Sequence, residues 1–390
     1  MSRFLFFYIF FSLLLSSFIF AVPRTVAKTS VPSFEISGWI PYWRVATGTV
    51  DALSHLQNFS AVMPFGYIVQ NDGSLFDAFG LNITSSTSTV ALLTTVAKAQ
   101  KVKIVPTVMW SNSSAINNVL SVSASRQALE TTIANLVKQQ GFDGIDIDFE
   151  NKLAETRPYF SLFLKGLYAR MGQKLVYCTI EPRTPPSSAF AVVPKKLDYA
   201  NDYSAINKYC DRVEIMTYDQ GTVDLKLNAA ASPMPYIPIA DPKWVEKVVS
   251  LAAQTISKKK IVIGIATYGY EYNVIPLSQG YRYDLEWTFN PRYAADLATE
   301  FSLTPMRNTA GEMSFMYIPT TTPTTSLIAS VGSAGPLQAT TIPQHIVWWS
   351  DASAINDKIQ LAKKLGVRGI AIFKLDGGED PNLWNILPKK

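Results

Sequence analysis

The stretch "GFDGIDIDFE", residues 141–150, sets four acids (Asp143, Asp146, Asp148 and Glu150) into a run otherwise built for burial. On a strand, successive side chains point to opposite faces. Asp146, Asp148 and Glu150 then share one face, while Ile145, Ile147 and Phe149 share the other. Asp143 has the opposite parity and precedes Gly144, so it reads as a turn or capping residue. A row of carboxylates costs both desolvation and mutual repulsion. The usual escape is to share protons and raise one pKa, which keeps a carboxylic acid protonated near neutral pH. Stability alone would not select this row. It reads as a positioned general acid, Glu150, with supporting acids beneath it.

The rest of the chain supplies a setting for such a strand. Short apolar runs, among them "EISGWIPYW", "FSAVMPFGYIV", "VKIVPTVMW", "LVYCTIEP", "RVEIMTYDQ", "KIVIGIATYGY" and "GIAIFKLD", alternate with helical-period segments such as "SRQALETTIANLVKQQ" and "DPKWVEKVVSLAAQTIS". With the acidic strand this makes eight buried strands separated mostly by amphipathic helices. The pattern predicts an α/β fold, a closed (β/α)8 TIM barrel, with the apolar face of each strand packed under the helices and the acids pointing into the barrel interior. "VQNDGSLFDA" after strand two predicts a small hairpin. About seventy residues, 271–344, lie between strand seven and the last helix. That is too long for a plain loop, and predicts an inserted α+β subdomain. The expected organisation is a leader over residues 1–27 and one catalytic domain over residues 34–390.

Composition narrows the chemistry. The 390 residues are 48% hydrophobic and 17% charged, ample for a large core. The net charge of +5 is spread along the chain, and its densest run is Lys258-Lys259-Lys260. No nucleic-acid motif accompanies it, so no nucleic-acid partner is expected. Arg3 precedes the apolar segment 4–21, which fits a secretory signal peptide, with an uncleaved membrane tether as the alternative. Either way the catalytic domain is expected outside the cytoplasm, secreted or in the cell envelope. Cys178 and Cys210, the two cysteines, are read equally well as a disulfide or as buried thiols. The two histidines, His55 and His345, lack the setting of a triad or a zinc site. An acidic strand without a glycine-hinged loop is a poor calcium site, and no metal or cofactor is expected.

Active sites of these barrels form where strands end at the C-terminal face. Here those ends carry Tyr42 and Trp43, Phe65 and Tyr67, Trp110, Glu150, Glu181, Tyr218 and Asp219, and Tyr268 and Tyr270. So many aromatic residues on one rim, Tyr42, Phe65 and Trp110 foremost, suggest a cleft that stacks against flat, amphipathic rings such as sugars. Glu181, in "TIEPRTPP", is a further rim acid to which the pattern assigns no role.

"FDGIDIDFE" resembles the DGxDxDxE signature of glycoside hydrolase family 18, the chitinase-like hydrolases. "SGWIPYW", "MTYDQ", "IGIATYG" and "GIAIFKLDGGEDPNLW" are similar to that family's first, sixth, seventh and eighth strands, and the similarity runs from Ile36 to Trp384. Its texture is similar to the bacterial branch of spore-cortex and cell-wall hydrolases.

The resemblance implies an O-glycosyl hydrolase acting on an N-acetylated polysaccharide or oligosaccharide, peptidoglycan or chitin-type, without an enzyme nucleophile. The substrate's own 2-acetamido oxygen would attack the anomeric carbon, with net retention. Glu150 would protonate the leaving oxygen, and Asp148 would orient the acetamide N–H. Asp146 would share a proton with Asp148 from below, and Tyr218 would hold the acetamide oxygen. Met216 and Asp219 would line the same sugar subsite. Phe373 stands where the family commonly carries a tryptophan that floors the sugar. That departure keeps open a silent glycan-binding protein on the same barrel, although such proteins typically lose the general acid. A monomer is expected.

Overall fold

The computed structural model describes residues 34–82, 89–319 and 344–388. The leader assigned to residues 1–27, including the apolar segment 4–21, lies outside the described residues. Among the described residues no helix is long and apolar enough to cross a membrane.

Eight parallel strands close into a barrel: β1 (Glu35–Pro41), β2 (Ala61–Val69), β3 (Thr107–Trp110), β4 (Gly144–Phe149), β5 (Leu175–Ile180), β6 (Arg212–Ile215), β7 (Ile261–Ala266) and β8 (Gly369–Phe373). Pairing runs around the ring in chain order, and β1 closes it by pairing with both β2 and β8. The closing contact is tight: a Cβ on Gly369 would lie 1.9 Å from the carbonyl oxygen of Glu35. Strand three is interrupted, because Lys103–Ile104 pairs with β2 ahead of Pro106 and Thr107–Trp110 resumes beyond it. The predicted hairpin is present: Leu75–Asp77 returns antiparallel along β2, with Gly73 at φ +87° in the turn.

The alternation read from the sequence becomes two layers. Ile145, Ile147 and Phe149 face outward beneath the helix Arg157–Met171, where Phe149 packs 5.2 Å from the Phe163 ring. Burying each such side chain stabilises the fold by about 1.5–3 kcal/mol. The barrel interior is filled by Trp39, Met63, Phe65, Tyr177 and Val262, among others. Asp143, just ahead of β4, accepts a 2.9 Å hydrogen bond from the backbone N–H of Ile104, a link to the neighbouring strand segment instead of the local turn or cap expected of it. Cys178 and Cys210 form a disulfide that ties β5 to the end of the helix Tyr203–Tyr209.

After β7 the chain builds a five-stranded antiparallel sheet, ordered Tyr281–Phe289, Gly269–Pro276, Gln344–Trp349, Met313–Tyr317 and Met306–Arg307. Its Thr/Pro-rich stretch, residues 320–343, lies outside the described residues. One face packs on the barrel rim through Tyr268, Ile346 and Trp348, against Tyr236 and Ile239. The other receives Ala294 and Leu297 of the helix Pro291–Glu300. Glu312 fastens sheet to barrel, accepting from Trp348 Nε1 (2.7 Å), Lys358 Nζ (3.0 Å) and the N–H groups of Ile239 and Ala240.

Candidate active site

The inward faces of the strands build a column of polar side chains that rises toward the rim. At its foot, Glu35 pairs with Arg212 and Arg368. Above it Glu214 on β6, fully buried, accepts a 2.7 Å hydrogen bond from Ser37. Its second oxygen has no hydrogen-bond partner among the described residues. Burial first, and then the charge of Asp146, push its pKa well above the usual carboxylate range.

Asp146, also fully buried, is gripped from three other strands, the two beside β4 and β1 across the barrel. Thr107 Oγ1 of β3 (2.8 Å) and Trp39 Nε1 of β1 (3.4 Å) donate to Oδ2, and Thr179 Oγ1 of β5 (2.9 Å) donates to Oδ1. Burial raises its pKa to about 6 while these three donors pull the other way. Asp148 is the next inward residue. Its Oδ1 has no hydrogen-bond partner among the described residues, and the Glu150 carboxyl lies close enough for its charge to act on it. Burial, then the charges of Glu150 and Asp146, push it well above the ordinary value. Three neutral donors thus satisfy Asp146, while Asp148 feels the charges of both Glu150 above it and Asp146 below.

Glu150 follows β4 at the rim, half-buried, its pKa raised by burial and then by the negative charge of Glu181. Tyr218 lies within electrostatic reach of Asp148, Asp219 and Glu150. Burial, and then Asp148, raise its pKa well above that of free tyrosine, so its hydroxyl keeps its proton. A Cβ at Gly264 would come within 2.9 Å of the Tyr218 ring and 2.6 Å of the Ile215 carbonyl, so glycine leaves the space that ring needs. Asp219, at φ +55°, accepts from Tyr268 OH (2.6 Å) and Tyr270 OH (2.7 Å). The Phe373 ring stacks on Tyr218 at 5.6 Å and 15° and meets Tyr268 edge-on. Met216 is half-buried beside this cluster. Tyr42 stacks on Phe65, with the half-exposed Trp43 edge-on to both.

Trp110 is placed elsewhere. Thr107 points into the barrel, so Trp110, three residues on, points out. It is buried in the outer layer with its ring edge-on to Phe149. The structure does not bring it to the acids. Several neighbours of the acid row were not singled out in the sequence: Thr107, Thr179 and Trp39, which hold Asp146, and Glu214 and Lys152. Inward parity marks the first four once register is known. Glu214, a lone acid between Val213 and Ile215, carries the same signal as the β4 row.

The profile of glycosyl hydrolases family 18 matches residues 43–378. The chain belongs to that family. The acid row lies within the matched region. A cortical fragment-lytic enzyme from Bacillus cereus is 25% identical over 335 residues, covering 83% of this chain and 66% of its own length. The chain spans between 51% and 68% of the length of its Bacillus relatives. Two solved structures share the fold. The spore cortex-lytic enzyme SleL of Bacillus cereus has TM-score 0.67 at 21% identity, covering 94% of this chain and 77% of that one. A chitinase from Chromobacterium violaceum has TM-score 0.68 at 17% identity, covering 91% and 98%.

Proposed function

We propose that this glycoside hydrolase cleaves β-linked glycans containing N-acetylglucosamine by substrate-assisted catalysis with retention of configuration. One observation carries the reading: Asp148 is buried with an oxygen short of donors, beside Glu150 on its own strand and within electrostatic reach of Tyr218, whose hydroxyl burial keeps protonated. Such a pair holds a proton at the rim and has spare acceptor capacity for an N–H.

In this reading Glu150 gives its proton to the glycosidic oxygen as the C1–O bond breaks. The substrate's acetamide oxygen closes on C1, forming an oxazolinium ion. Asp148 accepts the acetamide N–H and faces the developing positive charge. Tyr218 donates to the acetamide oxygen and aligns it for attack. Water then opens the ring, with Glu150 now taking its proton. Phe373, stacked on Tyr218, offers a floor for the sugar, and Asp219 and Met216 flank it. Tyr42, Phe65 and Trp43 provide stacking area farther along the rim.

Bacterial cell wall is the favoured substrate class, because the named relatives include cortical fragment-lytic enzymes. The disulfide supports action in an oxidising compartment outside the cytoplasm, in keeping with residues 1–27 as an export leader or tether. The test is to incubate the protein with purified peptidoglycan and with chito-oligosaccharides, and to follow the first-formed anomer by NMR. A β anomer is expected. An α anomer overturns retention, and equal cleavage of glycans lacking the 2-acetamido group overturns substrate assistance.

A further inference from the structure

Glu181 follows β5 with the inward parity of Thr179, and both of its oxygens act as acceptors. The backbone N–H of Asn151 donates to Oε1 at 2.9 Å, and Asn201 Nδ2 donates to Oε2 at 2.7 Å. Lys152 Nζ lies 3.6 Å from Oε2. The Lys152 side chain is wholly buried, donates to the carbonyl of Phe149 and sits 4.8 Å over the Phe160 ring. Asn151 itself occupies the left-handed region at φ +55°. Both residues that follow Glu150 are therefore pinned: Asn151 by Glu181, and Lys152 by the residue that precedes Glu150. A buried ammonium is costly, and this one faces Glu181, Asp148 and Glu150 together.

We propose that Glu181 and Lys152 are a pair of positioning residues that set the charge facing Glu150 and hold the turn from which Glu150 projects. This deepens, and rests on, the general-acid reading above. Glu150 has to release a proton in one half of the reaction and take one in the other. The negative charge of Glu181 favours keeping the proton, the positive charge of Lys152 favours its release, and their contact fixes the balance. The remaining charged groups facing Glu150 are Asp148 on its own strand and Asp219 beyond β6, the latter held by Tyr268 and Tyr270. The upward shift of Glu150, caused by burial and then by Glu181, with Lys152 opposing, agrees with this arrangement.

The experiment uses the full chain and the variants E181Q, E181D and K152M. The Glu150 carboxyl is titrated by carbon-13 NMR without substrate, and kcat/KM is followed against pH on the cleaved glycan. E181Q is expected to lower the Glu150 midpoint by about half a unit, since solvent screens part of the Glu181 charge. The alkaline limb of kcat/KM should move to lower pH with it. E181D should restore both, and K152M should move both the other way. A Glu150 titration unmoved in E181Q, with kcat reduced equally at every pH, would make Glu181 a mere scaffold and overturn the proposal. So would shifts of the same sign in E181Q and K152M. If K152M does not fold, E181Q and E181D decide. The NMR readout needs no turnover: a wild type that cleaves nothing while its Glu150 shifts as stated would sink the substrate reading and leave the pair standing.

Discussion

Glu271 in the inserted sheet and Asp148 on β4 each expose 3% of their surface, yet their surroundings are opposite. Glu271 is encircled by donors: Trp287 Nε1 and Tyr293 OH at 2.8 Å on one oxygen, and Tyr317 OH and His345 Nδ1 on the other. Burial alone would raise its pKa, but these partners hold it down to about 2. Asp148 has an oxygen with no hydrogen-bond partner among the described residues, and the charges of Glu150, Asp146 and Glu181 around it are opposed by that of Lys152. A carboxylate that serves the fold is saturated with donors, because an unsatisfied buried charge is costly. One left short of donors keeps a proton and leaves room for a substrate group to complete it. The first arrangement lowers a pKa and adds stability. The second raises a pKa and withholds stability.

The largest test of this contrast falls on Glu150, the rim partner of Asp148. E150Q should reduce turnover by about 10³-fold, in the range for loss of a general acid, while thermal denaturation stays close to wild type. An E150Q protein that unfolds readily would mean the acid row supports the fold as Glu271 does, and the contrast would fail. Next in size is E271A. It strips four donors of their acceptor and should destabilise the fold by about 3 kcal/mol in urea unfolding. The estimate sits at the low end for a buried charge because Trp287 is half-exposed and its N–H can turn to water. Activity per folded molecule should be unchanged.

Much of this was legible in the sequence, because the barrel depends on patterns that one strand or helix carries alone. The parity of "GIDIDFE" places three acids on one face whatever surrounds it, and the apolar runs mark all eight strands. The partners of Asp146 are a different kind of fact. Thr107, Thr179 and Trp39 come from three strands, and they converge only after barrel closure sets the register. Trp110 was expected at the rim because it ends a strand, but strand three restarts after Pro106 with Thr107 facing inward, which turns Trp110 outward. The disulfide needed the 5.9 Å approach of two Cα atoms that are 32 residues apart in sequence. Lys152 gave no signal, since a lysine next to a turn ordinarily reads as solvated.

The two kinds of carboxylate should also divide the pH dependence of stability. Glu271, and Glu35 with Arg212 and Arg368, titrate near 2 when folded, below the ordinary 4.5. Their stabilisation is present above about pH 4.5 and is lost as pH falls toward 2. Burial raises Asp146 to about 6 and holds Asp148 well above the ordinary 3.8. From about pH 4 upward the unfolded chain loses these protons while the folded chain keeps them, so stability declines as pH rises. D148N cannot ionise and should escape part of that decline. Its unfolding midpoint is expected to match wild type at pH 4 and exceed it at pH 8, in denaturant melts at both values. Equal midpoints at both would show that Asp148 withholds no stability.

The smallest effects come from removing one hydroxyl from each kind of site. Y293F takes one of four partners from Glu271, and T179V takes one of three from Asp146. Each should cost about 1 kcal/mol of stability, so unfolding alone would not tell them apart. The pH profile of turnover should. Y293F raises the pKa of Glu271 on the inserted sheet, which is not among the charges named as acting on Asp148 or Glu150, and the profile is expected to stay where it is. T179V raises Asp146 above its present value near 6, which lessens the negative charge beneath Asp148 and Glu150 at neutral pH. Both acids then give up their protons more easily, so the alkaline limb should shift to lower pH. If T179V loses the same stability as Y293F with no such shift, Asp146 is another saturated, structural carboxylate. The line between the two kinds of site would then run between Asp146 and Asp148.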